Sequence, residues 1–190
     1  MKLLKNNFLV KFVVTLFFIG VVVGLLFYFA YKPDLSGNLE VFKELITSTH
    51  QNTFLSSIVI ISAIFVLSIS VLGLPAIIFY IFYEGLSIGY TFATFIWVYH
   101  IKGGLFYLLF ILTSKLVFVL LVIYFVIISV RYIKKFLDHF FSKNREELYK
   151  TIVFHFYRFV IVLGITIINS LLIFFFSNKI LLLVMGLIEK

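Results

Sequence analysis

Glu84 is an acidic side chain inside an almost wholly apolar run, PAIIFYIFYEGLSIGY, at positions 75–90. In a helix, Tyr80, Ser87 and Thr91 share its face at i−4, i+3 and i+7. A carboxylate lined up with hydroxyl groups in this way can carry a proton or an ion, or it can form a buried ion pair. Glu84 is therefore the first candidate for chemistry in the chain.

The composition is that of an integral membrane protein. Of the 190 residues, 63% are hydrophobic and 20% aromatic, and the mean hydropathy is +1.19. Too few polar residues remain to cover a soluble domain. Several apolar runs reach roughly 20 residues, the length that crosses a bilayer core of about 30 Å as a helix. The net charge of +8 is scattered around these runs, which indicates membrane topology and predicts no nucleic-acid partner.

The apolar runs predict an all-α, polytopic bundle of about five transmembrane helices, forming one domain over residues 1–190. Nine Lys and Arg residues fall in the predicted inner segments and five in the outer ones, which places the N-terminus inside. The uncharged turn at Gly73 leaves a four-span version open. The predicted spans are about 8–31, 54–72, 75–98, 105–130 and 151–176, with a loop at 99–104 and a basic inner loop at 131–150.

Two cations, Lys115 and Arg158, fall within predicted spans. A charge at mid-bilayer costs at least about 2.5–3.5 kcal/mol, so it normally faces the bundle interior and has a partner. We expect Glu84 to pair with Lys115 or with Arg158. Two alternatives remain open: the contact only specifies the fold, or Arg158 extends to the inner interface.

No residue pattern predicts catalysis, a cofactor or a metal. The chain has no cysteine, and no motif of a zinc protease, a serine hydrolase or a phosphate-binding loop occurs in it. Glu84 has no second buried acid for a paired-carboxylate mechanism. We therefore expect a protein that is not an enzyme. The four histidines lie in different segments without metal-ligand spacing, at His50, His100, His139 and His155.

Glycine pairs on two predicted helices can let helices approach closely. Gly85 and Gly89 lie beside the Glu84 face, and Gly20 and Gly24 form a second small-xxx-small pair on the first span. Such pairs favour a compact bundle. A break between the second and third spans is predicted at Gly73 and Pro75.

The outer segment, residues 32–53, is polar but carries apolar residues at helical spacing. It is predicted to form a short amphipathic helix that docks on a partner protein or rests on lipid headgroups. The predicted contact residues are Leu39, Phe42, Leu45 and Ile46.

The run SISVLGLPAIIFYIFYEGLSIGYTFATF, residues 68–95, resembles the central signature of the stage II sporulation protein M family. Members have a span that ends near GLP, followed by a helix with a polar residue and a G-x-x-x-G pair. This chain departs from the family at Glu84, where many relatives have Asn, and at residues 113–115, where many have a proline-centred polar motif. The matching residues are Gly73, Leu74, Pro75, Gly85 and Gly89.

The resemblance implies a scaffold in the bacterial cell membrane, at the septal or engulfing membrane, that recruits peptidoglycan-remodelling hydrolases during endospore formation. The partners that the resemblance implies are stage II sporulation proteins D and P. Apart from the resemblance, we expect the lipid bilayer as a partner, and a homo-oligomer is left open. The residues alone leave an alternative open, in which the Glu84 face serves a transporter or channel component.

Overall fold

The computed structural model describes residues 2–31, 55–108 and 113–188, and nearly all of them are helical. The prediction of an all-α bundle is confirmed. A short 3-10 turn, Val71–Gly73, separates the second and third helices. In chain order the helices are α1 (Lys2–Tyr31), α2 (Leu55–Ile69), α3 (Leu74–Phe106), α4 (Thr113–Phe141) and α5 (Arg145–Ile188).

Within the described ranges, four stretches are long and apolar enough to cross a membrane: Phe8–Tyr31, Val71–Trp97, Lys115–Phe141 and Arg145–Ile173. The first coincides with the predicted span 8–31. The helix in the second predicted span, Leu55–Ile69, is shorter, at about 22 Å for its 15 residues. By itself α2 is shorter than the bilayer core of about 30 Å.

The helices α1 and α3 approach each other closely at their glycines. A Cβ added at Gly20 or Gly24 would fall within 3.0 Å of backbone atoms of α3, and one at Gly85 or Gly89 within 3.0 Å of backbone atoms of α1. Real Cβ atoms essentially never come so close, so only glycine fits at these four positions. Each groove predicted from the sequence thus receives the backbone of the other helix.

The glycine contacts also fix the relative direction of the two helices. Gly20 lies against Phe82 and Leu86, and Gly24 lies against Leu86 and Tyr90. Because the residue numbers of α1 and of α3 both increase in the same direction along the contact, the two helices are parallel. The chain between them must return to the side on which α1 began, and α2 is the described helix on that return path.

All five helices contribute to one apolar core. It includes Val13 of α1, Ile64 of α2, Ile77 of α3, Phe125 of α4 and Val162 of α5. Outside this core, α1 packs mainly on α3, and α4 mainly on α5. The bundle therefore consists of two helix pairs, with α2 packed against them.

The break predicted at residues 99–104 is present but is shorter than the predicted loop. The structure is helical there except at His100, whose φ of 53° and ψ of −141° break the helix at a single residue. After His100 the last turns of α3 fold back on its earlier part, since a Cβ added at Gly104 would lie 3.1 Å from the Ile96 side chain and the Tyr107 hydroxyl donates to the Ile88 carbonyl at 3.1 Å. Gly104 therefore allows close packing between the two parts of α3.

The connection within the basic segment 131–150 is also shorter than the predicted loop, because α4 continues to Phe141 and α5 begins at Arg145. Residues 142–144 form a tight turn in which the Asn144 amide donates to the His139 carbonyl and the Lys143 amide to the Phe140 carbonyl. This is the Schellman pattern of a helix C-terminus. Asn144 then caps α5 by accepting the Glu147 amide at 3.3 Å.

The α2–α3 turn contains the other predicted break. Ser70 caps the 3-10 turn by accepting the Leu72 amide at 3.2 Å. Gly73 is buried so closely against Leu67 that a Cβ would meet its backbone, while Pro75 is exposed at the second position of α3. Proline is tolerated there because the first-turn amides of a helix have no partner within the helix.

Replacement of Gly85 by alanine is expected to lower stability by about 2 kcal/mol, because the new methyl group forces α1 and α3 apart. The measurement is thermal unfolding of the purified protein in mild detergent. The matched control is Gly164→Ala on α5, where nothing lies within 4 Å of the new Cβ. That variant should be neutral or up to about 1 kcal/mol more stable. Equal destabilisation by the two changes would contradict the glycine contact.

Lys143→Gly is expected to stabilise the α4–α5 turn by about 1 kcal/mol, since Lys143 has a positive φ of 54° that glycine adopts without strain. Lys143→Ala removes the same charge but keeps the strained backbone, and it serves as the control. A rise in melting temperature with glycine and not with alanine is the expected result. A rise with both would assign the effect to the lost charge.

Candidate functional site

The Glu84 carboxylate is half-buried on α3 and has a local partner. The Tyr80 hydroxyl, one turn earlier, donates to Glu84 Oε2 at 2.9 Å. Tyr80 itself packs against the apolar core. This hydrogen bond lowers the free-energy cost of placing the acidic side chain within the membrane.

The remaining polar residues on this face do not extend the pair into a chain of side-chain hydrogen bonds. The Thr91 hydroxyl donates to the backbone carbonyl of Ser87 at 2.6 Å, so it is satisfied within its own helix. The polar face predicted around Glu84 therefore contains one side-chain pair, Tyr80 with Glu84, and one local contact of Thr91 with its own backbone.

The structure gives Glu84 a different partner from the two cations expected to pair with it. Among the described residues, no ion pair joins its carboxylate to Lys115 or Arg158. The Arg158 guanidinium instead lies 4.1 Å from the Phe154 ring centroid. On the turn after Glu84, the place beside α3 is taken by Tyr107, whose hydroxyl bonds to the Ile88 carbonyl.

His155 forms a polar centre that its sequence position did not reveal. Only 3% of the residue is exposed, and its ring stacks on Tyr132 at 4.0 Å and on Phe65 and Phe125 at 5.6 and 5.8 Å. Its Nε2 lies 2.8 Å from the hydroxyl of Ser68 on α2. The side chain therefore connects α2, α4 and α5.

The hydrogen bonds of Ser68 determine the His155 tautomer. The single Ser68 hydroxyl proton is donated to the Phe65 carbonyl at 2.7 Å. The ring nitrogen must then donate in the contact between His155 Nε2 and Ser68 Oγ. In a neutral ring this leaves Nδ1 as an acceptor, and it is buried without a partner among the described residues.

A cavity of about 1030 Å³ opens beside this histidine. Its walls come from the start of α1, the last third of α4 and the first turns of α5, so it lies at the end of the bundle that contains the α4–α5 turn. We call this end the basic end. The basic residues that line the cavity are Arg131, Lys134, Lys135, Lys150 and Arg158.

Among the other predicted site residues, Lys115 is described by the structure and the contact residues of the outer segment are not. Lys115 is half-buried near the start of α4. No group of three or more His, Cys, Asp or Glu residues that could hold a metal occurs in the described part of the chain. The predicted contact residues of the outer segment lie outside the described residues: Leu39, Phe42, Leu45 and Ile46.

The fold and the apolar helices together define the class: a membrane-embedded helical protein. No protein-family model matches this chain, and searches of curated proteins and of solved structures find no match. Membership of the stage II sporulation protein M family therefore stays a prediction that rests on residues 68–95.

Tyr80→Phe is expected to destabilise the protein by about 1 kcal/mol, because it leaves the half-buried Glu84 carboxylate without its donor. Glu84→Gln keeps an acceptor for Tyr80 and should have a smaller effect. The coupling energy comes from a double-mutant cycle of Tyr80→Phe with Glu84→Ala, which removes the acceptor, measured by unfolding in mild detergent. Strictly additive effects would contradict an interaction between the two side chains.

Proposed function

We propose that this protein is a non-enzymatic, multi-pass membrane scaffold that holds partner proteins through its outer segment, residues 32–53. The observation that supports this most is the glycine-to-backbone packing of α1 on α3. Beyond the glycines, Tyr28 is buried and packs edge-on against Tyr90, with ring centroids 5.5 Å apart. The end of α1 that leads into the outer segment is therefore held in place.

A docking segment that is attached to rigidly packed helices loses less conformational entropy when it binds a partner. The outer segment follows Tyr31 at the end of α1 and precedes Leu55 at the start of α2. Both ends of the segment are thus attached to helices that pack into the bundle. The sequence spacing of Leu39, Phe42, Leu45 and Ile46 predicts an apolar face suited to a partner.

The partners we propose are membrane-anchored peptidoglycan hydrolases. This part of the proposal rests on the resemblance of residues 68–95 to the stage II sporulation protein M family, which implies stage II sporulation proteins D and P. In that setting the protein belongs to the bacterial cell membrane during engulfment, and the hydrolytic chemistry belongs to its partners.

A transporter or channel component is the second candidate. The hydrogen bond between Tyr80 and Glu84 favours it, because carboxylates within membranes often lie on proton or ion paths. It ranks second because Thr91, the next hydroxyl along this face with a hydrogen bond, is bound to its own backbone. Glu84→Gln separates the two: a scaffold should keep its partners, whereas a transporter should lose flux in reconstituted vesicles.

The test of the scaffold is co-purification from host membranes. Tagged protein is extracted in mild detergent, and the captured proteins are identified by mass spectrometry. A variant with residues 34–53 scrambled, at unchanged composition, is treated in parallel. We expect wall hydrolases with the native chain and their loss with the scrambled one.

Two controls make the result interpretable. The scrambled variant must unfold at the same temperature as the native protein, which shows that the bundle is intact. Glu84→Gln should capture the same hydrolases as the native chain. Absence of hydrolases from the native sample, or equal capture by the scrambled variant, would contradict the proposal.

A further inference from the structure

The cavity at the basic end has more positive charge than its surroundings neutralise. Among the described residues, Arg131, Lys134, Lys135 and Arg158 line it and form no ion pair. Asp138 is the acidic residue among the described residues that line the cavity. Such a cluster of unpaired cations attracts an anion.

Lys150, by contrast, is a neutralised member of this lining. Its ammonium lies 2.8 Å from a Glu146 carboxylate oxygen and 3.6 Å from one of Glu147. These acids belong to the first turn of α5. The available charge is therefore concentrated on α4 and on Arg158.

Two buried polar atoms of lining residues also lack partners. Arg131 Nε is a donor and His155 Nδ1 an acceptor in the neutral ring, and neither has a hydrogen-bond partner in the described part of the chain. Buried polar groups in folded proteins are nearly always satisfied. A ligand that offers both an acceptor oxygen and a hydroxyl donor would satisfy both atoms.

The remaining wall of the cavity is apolar and aromatic. Phe8 and Phe12 of α1 and Phe154 of α5 contribute to it, with 72%, 45% and 54% of their surfaces exposed. In a chain embedded in a membrane, exposed aromatic rings near a cluster of cations suit the boundary between headgroups and acyl chains. A soluble anion would gain nothing from this wall.

We propose that the cavity binds an anionic phospholipid. Arg131, Lys134 and Lys135 on α4 and Arg158 on α5 contact the phosphate oxygens, and an acyl chain lies along Phe8, Phe12 and Phe154. A headgroup hydroxyl beside the phosphate supplies the donor for His155 Nδ1. This site is independent of the outer segment and goes beyond the scaffold function.

The experiment is a titration of the full chain in zwitterionic detergent micelles with phosphatidylglycerol, followed by native mass spectrometry. Phosphatidylcholine, glycerol phosphate and inorganic phosphate are titrated separately. We expect phosphatidylglycerol to bind at least about tenfold more tightly than phosphatidylcholine, since each cation near an anionic headgroup adds to the attraction. Equal affinity for the two lipids would overturn the proposal, and so would binding of glycerol phosphate or inorganic phosphate as tight as that of phosphatidylglycerol.

A charge-matched pair of variants tests the location. The cavity variant replaces Arg131, Lys134 and Lys135 by glutamine; the control replaces Lys11, Lys143 and Arg145, which are exposed and outside the described lining. Affinity for phosphatidylglycerol should fall at least about tenfold in the cavity variant only. Equal losses would show diffuse surface attraction and overturn the proposal. If the cavity variant unfolds, the double change of the exposed Lys134 and Lys135 replaces it, with Lys143 and Arg145 as the matched control.

Discussion

The backbone approach of α1 to α3 is the contact on which the rest of the bundle depends. In lipid, helices gain little from burying apolar side chains, so close packing must supply the association energy. Here the glycines remove the side chains that would hold the two backbones apart, and each helix fits into the other. Because the pair is parallel, the chain between them has to return across the bundle. That requirement places α2 beside α4 and α5, where Phe65 stacks on Phe159 and Ser68 reaches His155.

The sequence predicts those features whose causes are local. Long apolar runs give the helices, and glycines four residues apart give the grooves. The two predicted loops are shorter in the structure because their usual sequence signals have another meaning in this fold. Gly103 and Gly104 suggest a loop, yet Gly104 serves the close return of the chain against Ile96, after a single non-helical residue at His100. The basic run 131–150 looks polar enough for a loop, yet helix capping by Asn144 confines the turn to three residues, 142–144.

The candidate sites show the same division between local and long-range causes. Tyr80 lies four residues before Glu84, so the sequence already contained the partner that the carboxylate has, although a distant cation was expected. His155 has no such signal, since its contacts come from positions far along the chain, among them Ser68, Phe125 and Tyr132. His155, Val162, Thr166 and Ser170 are all buried along α5. Their helical spacing is the sequence signal that indicates one inward face of this helix.

The two helix pairs explain why a lipid at the basic end would matter to the whole bundle. Contacts within the α1–α3 pair and within the α4–α5 pair are much more extensive than contacts between them. The cavity lies between the pairs, with Phe8 on one side and Arg158 on the other. A lipid bound there would bridge the pairs, and any ligand that binds only the folded state adds stability in proportion to the logarithm of its concentration. The glycine contact would then order one pair from within, while the membrane itself would help to hold the second pair against it.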